Sequence, residues 1–176
     1  MNDVVNSYLR RKLSGDRAMN IYLAGPLFSE GQRSWQMRIK QGIQNWAALQ
    51  GVGLDVIYPY ELVAAAAEQQ EAELTGRDIF VLCERALREA DVLVATLDGA
   101  QVDDGTAWEV GYFYALSKGA SERILGIRTD FRSAGDVRGT RVNAMLDASC
   151  GRIVGSLEEL LEKLSPIVFG ESSSRG

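Results

Sequence analysis

The run Val92-Leu93-Val94-Ala95-Thr96-Leu97 constrains the fold more than any other stretch of this chain. It shows no alternation of apolar and polar residues, so it predicts a strand covered on both faces, as in the middle of a parallel sheet. An acid-and-glycine loop, Asp103-Asp104-Gly105, comes next, and then a helical pattern from Thr106 to near Lys118. A loop between the carboxyl end of a central strand and a helix is where open α/β sheets place ligands. Asp104 is placed to cap the helix by accepting from the backbone N–H of Thr106 or Ala107. Glu109 falls in the second turn. With the helix dipole keeping its carboxylate ionised, it is a candidate nucleophile. Gly105 and Gly111 each cost a helix about 1 kcal/mol against alanine, so something approaches closely there. The alternative reading is a surface acidic cap, with glycines serving helix–sheet packing.

The rest of the chain repeats the pattern of strand and helix. Ile21-Tyr22-Leu23-Ala24 predicts a first strand, stopped by Gly25-Pro26, and Met19 is a natural starting point for it. Ser29 is placed to cap a helix reaching about Gln50, with Trp35, Ile39, Ile43 and Trp46 in one apolar stripe. Leu54 to Tyr58 reads as the second strand, and strand–helix–strand implies a right-handed parallel crossover. Helices follow over Pro59–Gly76 and Asp78–Ala90. Ile124 to Ile127 is the fourth strand. Residues 128–142 read as a charged surface loop, and Arg152-Ile153-Val154 as a short fifth strand. Ser156 starts a capping box for a closing helix to Leu164. These elements make a single-domain, flavodoxin-like three-layer α/β sandwich with about five parallel strands. The domain spans 19–168. Residues 1–18 form an extension outside the core, with a short helix near Val4 to Leu13, and 169–176 form a disordered tail.

Composition narrows the chemistry. The chain of 176 residues contains no histidine, which removes Ser-His-Asp and Cys-His catalysis and every histidine-dependent metal site. Carboxylates, tyrosines or a cysteine must then carry acid–base or nucleophilic work. The net charge of −5 gives no global attraction to nucleic acid. No apolar run is long enough for a membrane span, and the N-terminus lacks a signal-peptide core. Cys83 and Cys150 lie in no CxxC motif and make no disulfide framework, so a reducing cytoplasm is the expected location.

Several stretches, in order and at plausible spacing across roughly residues 20–165, resemble the nucleoside 2-deoxyribosyltransferase family. They are Ile21 to Phe28, Ala90 to Gly99, Asp103 to Gly111, Leu125 to Arg132 and Val142-Asn143-Ala144-Met145. The resemblance implies a flavodoxin-like fold and homo-oligomers whose active sites are completed by a neighbouring subunit. It also implies cleavage of the N-glycosidic bond of 2′-deoxynucleosides, with transfer of the deoxyribosyl group to an acceptor nucleobase, and no metal or organic cofactor. By position, Glu109 resembles the nucleophile, and Asp103 the carboxylate that binds the sugar hydroxyl and places it. Tyr22, Gly25, Phe28, Asp98 and Gly105 fall at substrate-binding positions. Asn143 matches the residue lent to the neighbour's sugar 5′-hydroxyl, with Met145 beside it.

This chain departs from the family pattern in three places. Cys83 stands where the family often carries an Asp against the departing base, Asp104 replaces a small hydroxyl residue, and Gly119 to Arg123 lengthens a tight link. A carboxylate nucleophile suits the oxocarbenium-like transition state of glycosidic cleavage on general grounds. Other readings remain at single residues. Tyr22 and Phe28 also fit as core aromatics, Asn143 as a turn cap, Cys83 as a packed small residue and Asp98 as a strand terminator. Two rival functions remain as well: a 2′-deoxynucleoside 5′-phosphate N-glycoside hydrolase, with phosphate donors such as Ser29, Gln32 and Arg33, and a non-catalytic nucleotide-sensing module.

Overall fold

A computed structural model describes residues 18–70 and 73–170. The expected helix near Val4 to Leu13 and the end of the tail lie outside the described residues. Five strands form one sheet in the order β2-β1-β3-β4-β5, and every neighbouring pair is parallel. They are β1 Met19–Ala24, β2 Leu54–Ile57, β3 Val92–Thr96, β4 Ile124–Ile127 and β5 Arg152–Val154. The helices are α1 Glu30–Gln50, α2 Pro59–Gln70, α3 Gly76–Glu89, α4 Asp104–Leu116, α5 Ala144–Ser149 and α6 Leu157–Phe169.

The parallel order follows from the chain. β1 and β3 are apolar on both faces because helices cover both faces, and all five residues of β3 are buried. On one side, Ile39 and Ile43 of α1 and Leu160 and Leu164 of α6 pack on Ile21, Leu23, Val94 and Leu125. On the other, Leu87 of α3, Val110 and Phe113 of α4 and Leu146 of α5 pack on Tyr22, Leu93, Ala95 and Ile124. Each such side chain contributes roughly 1.5–3 kcal/mol by leaving water. The strand order reverses between β1 and β3. That places the ligand crevice of this topology above their carboxyl ends.

Four details differ from the sequence reading. The cap of α4 is Asp103 rather than Asp104: its carboxylate accepts from Thr106 N at 2.9 Å and Thr106 Oγ1 at 3.0 Å. Asp104 turns to the adjacent Gly105 N at 2.8 Å. The 128–142 stretch does not lie wholly on the surface, because Arg128 is fully buried. A six-residue helix, α5, follows that stretch where none was expected. Finally, α6 continues through Pro166 to Phe169, whose ring packs on Trp46 with centroids 6.1 Å apart. The helix therefore ends one residue past the expected domain boundary.

Candidate active site

Tyr22 is completely buried in β1, and its hydroxyl donates to Glu109 Oε1 at 2.6 Å. Strand alternation aims Tyr22 at the α3–α4 side, and the second turn of α4 brings Glu109 over it. Both readings of Tyr22 are thus met: its ring is core, and its hydroxyl belongs to the site. Burial is the main cause that lifts the tyrosine's pKa, so its hydroxyl stays neutral and remains a donor.

Glu109 is pushed up to about 7, first by burial and also by the nearby Asp103 charge, while the Tyr22 hydrogen bond pulls it down. The sequence reading had the helix dipole keeping this carboxylate ionised. At the second turn desolvation outweighs that effect, and the group titrates near neutrality. Among the described residues only Oε1 accepts a hydrogen bond, which leaves Oε2 for chemistry. Asp103 uses Oδ2 in the cap, and among the described residues no hydrogen bond uses its Oδ1. It is therefore able to cap the helix and accept from a ligand hydroxyl at once.

Gly105 is explained by the same carboxylate. A Cβ there would lie 3.2 Å from Asp103 Oδ2, so the cap itself comes close to this glycine. Gly25 is likewise required by its own chain, since a Cβ would fall 1.5 Å from Gln36 Nε2. Gln36 is fully buried on α1, its amide atoms without a hydrogen-bond partner among the described residues. Sequence reasoning missed it, because a glutamine within an apolar stripe reads as a surface interruption.

Cys83 on α3 is half-buried beside the Tyr22 hydroxyl and near Glu109, and burial pushes its thiol up, keeping it neutral. Glu84 points elsewhere and accepts from the Tyr112 hydroxyl and Arg88. A thiol is a weak hydrogen-bond donor and acceptor and cannot orient a base as a carboxyl group does. Under the reaction that the family resemblance implies, Cys83→Ala is expected to keep most of the activity and Cys83→Asp to reorder preference among departing bases. Initial rates across a panel of nucleosides check both. Loss of turnover in a folded Cys83→Ala protein would give the thiol a direct role.

The other expected site residues are placed differently. Asp98 spends both oxygens within the chain, accepting from Thr129 Oγ1 at 2.8 Å and Asp130 N at 2.7 Å. It fastens the loop after β3 to the loop after β4. Phe28 is exposed at the crevice rim. Its loop is held by α1: Gln32 Oε1 accepts from Phe28 N and Ser29 N, and Arg33 Nη1 donates to the carbonyls of Leu27 and Phe28. Asn143 caps α5, accepting from Leu146 N at 3.0 Å. Both Asn143 and Met145 are exposed, and no hydrogen bond described joins Asn143 to Asp103 or Glu109. Within one subunit, then, Tyr22, Cys83, Asp103 and Glu109 converge, and among the described residues no hydrogen bond ties Asn143 or Met145 to them. Among the described residues no three carboxylate or thiol groups are grouped to hold a metal ion. None of the helices there is long and apolar enough to cross a membrane.

A family model described as nucleoside 2-deoxyribosyltransferase matches residues 21–145, a range holding every residue of the convergent group. Among solved structures, a conserved protein from Enterococcus faecalis V583 is 25% identical, with a TM-score of 0.65 over 86% of this chain and 99% of that one. A 2-deoxyribosyltransferase from Leishmania mexicana is 21% identical, with a TM-score of 0.60 over 87% and 99%. The corresponding enzyme from Bacillus psychrosaccharolyticus is 21% identical, with a TM-score of 0.59 over 81% and 90%, and both share the fold. No curated protein sequence matches the chain.

Proposed function

The chain belongs to the nucleoside 2-deoxyribosyltransferase family, and from that premise we propose that it moves a 2-deoxyribosyl group between nucleobases through a covalent bond to Glu109. The supporting observation is a part-buried carboxylate with one oxygen on a neutral Tyr22 hydroxyl and, among the described residues, no hydrogen bond to the other. In the first half-reaction Glu109 Oε2 bonds to C1′ as the C1′–N bond breaks, and the bonding pair leaves with the base, which takes up a proton. In the second, the acceptor nitrogen attacks C1′ and loses its proton, and the carboxylate departs. Two inversions return the original configuration. Asp103 Oδ1 takes the sugar hydroxyl and holds C1′ over the nucleophile.

In this reading the exposed Asn143 of a neighbouring copy meets the far end of the sugar, with Met145 beside it. Under this reading the active unit is a homo-oligomer. Mixing inactive Glu109→Ala and Asn143→Ala proteins under subunit exchange should restore about a quarter of the sites, since half the pairs are mixed and each holds one intact site. No rescue despite demonstrated exchange would reject the shared site.

The rival 5′-phosphate reading is weakened by the commitments of Ser29, Gln32 and Arg33 to the loop and cap they hold. Incubation with deoxynucleosides, deoxynucleotides and ribonucleosides, with and without free adenine or cytosine, tests the assignment. Base exchange on deoxynucleosides is expected. Hydrolysis confined to 5′-phosphates, or silence on every substrate, would replace it with the hydrolase or the sensing module. The expected site of action is the cytoplasm, in salvage of deoxynucleosides.

A further inference from the structure

Two helices end beside each other at the amino edge of the sheet, on the face opposite Tyr22. Helix α1 returns the chain from the carboxyl end of β1 to the start of β2, and α6 follows the carboxyl end of β5. Their last turns meet where the Trp46 and Phe169 rings pack edge to face. Leu49, one turn beyond Trp46 on the same side of α1, is 84% exposed, and Phe169 is 54% exposed. A lone exposed leucine needs no explanation, but a contiguous apolar patch marks a contact surface. Met19, Trp46 and Val168 pack against one core cluster, so the patch adjoins the point where the chain enters β1. Neither helix carries a basic residue in its last turn. Two negative helix ends therefore stand side by side with no cation in either turn to offset them.

We propose that this surface is covered by the chain's own N-terminal segment, residues 4–13, packed as an amphipathic helix across the ends of α1 and α6. In that stretch of sequence Val4, Val5, Tyr8, Leu9 and Leu13 fall on one half of a helical circumference. Asp3 precedes them as a start signal and Gly15 follows as a stop. Arg10-Arg11-Lys12 brings three consecutive cations, the complement of two uncompensated carboxyl-terminal helix ends.

Chain continuity selects this occupant over a second copy or another protein. The chain enters β1 beside the patch, so docking there is intramolecular and gains the effective concentration of a short tether. The five residues from Ser14 to Ala18 reach up to roughly 17 Å when extended, more than the width of one helix, about 10–12 Å. An isolated helix this short is marginal in water. Burying its apolar half on Trp46, Leu49 and Phe169 stabilises both partners. Glu109 is reached from the other edge of the sheet, so the arm braces the fold and does not touch the reacting groups.

Leu49→Lys in the full chain separates a covered surface from a bare one, because the two give opposite signs. On a bare helix end it sets a cation at the favourable end of the dipole, and Tm should hold or rise. Under a docked arm it removes an apolar contact and places a like charge against Arg10-Arg11-Lys12. Tm should then fall by about 3 °C or more, and trypsin should cut after residues 10–12 at least ten-fold faster than in the native protein, read by mass spectrometry. Leu9→Glu should act alike, with no further effect in combination with Leu49→Lys. A chain carrying Leu9→Cys, Leu49→Cys and Cys83→Ser should close on itself with a short bismaleimide, as an intrachain link on a denaturing gel. A Tm kept or raised by Leu49→Lys, or trypsin rates that do not change, would overturn the docking. So would no link, or a link formed only between chains, which would put the arm of a second copy on the patch.

Discussion

Replacing Glu109 with glutamine should lower base exchange by roughly three orders of magnitude or more while leaving the fold intact, since a covalent nucleophile is lost. Quenched native enzyme with a slow 2-fluoro-substituted nucleoside should carry the sugar on Glu109 by mass spectrometry. An adduct on another residue, or full activity in the variant, would dismiss the assignment. The part-buried carboxylate also sets a pH signature. The nucleophile must be ionised, so the rate should climb with pH through about 7 and then level off. Tyr22→Phe removes the hydrogen bond that lowers this value and should move the climb to higher pH.

Stability should run the other way. The folded value of Glu109 lies above the usual carboxylate value of 4.5. Between those two pH values the folded protein holds a proton that the unfolded chain releases, so stability falls as pH rises and levels above about 7. Glu109→Gln removes that penalty. It should stabilise the protein at pH 8 by up to about 3 kcal/mol and by little at pH 4. Equal stabilisation at both pH values in denaturant titrations would contradict the burial of an ionising group.

The largest loss of stability should come from Arg128→Ala. Its guanidinium is fully buried at the end of β4 and donates to Leu97 O, to Gly99 O at 3.0 Å and to Arg132 O at 3.1 Å. Its own carbonyl accepts from Arg141. Nearby Asp130, held well below the usual carboxylate range chiefly by Arg132, supplies the counter-charge. Truncation strands the buried Leu97 carbonyl and takes a donor from the part-buried Gly99 and Arg132 carbonyls, and should cost about 3–5 kcal/mol. At this chain length that is a fall in Tm of about 10 °C or more. Arg128→Lys should recover only part, because an ammonium cannot fork to separated carbonyls. A loss below about 1 kcal/mol would mean that the guanidinium does not hold this rim.

Arg128 also marks where sequence reading stops. A charged residue after a strand reads as the start of a surface loop, because nothing local shows that three carbonyls converge on it. The sheet itself was legible, because doubly covered parallel strands are unbroken apolar runs, and Val92 to Leu97 is one. The cap of α4 was misplaced by one residue. Asp103 and Asp104 both suit a cap, and only backbone geometry separates them. Helix α5 escaped because six residues carry no periodicity. Glu109 stood out through its acid-and-glycine surroundings, but its bond to Tyr22, 87 residues away, exists only once β1 and α4 are packed. Cys83 was placed by resemblance, and its contact with the Tyr22 hydroxyl by the fold.

The Tyr22–Glu109 hydrogen bond bears on both halves of the proposed cycle. In the resting enzyme it occupies Oε1, so the two carboxylate oxygens are no longer equivalent and Oε2 alone attacks. Once the sugar is attached, Glu109 is an ester, with Oε2 as its bridging oxygen and Oε1 as its carbonyl. The phenol then polarises an acyl carbonyl. As C1′ is released to the acceptor, negative charge returns to Oε1, directly opposite that O–H. A contact that blunts the nucleophile at the outset thus improves the same carboxylate as a leaving group, levelling the two barriers of a reaction that must run equally well in both directions.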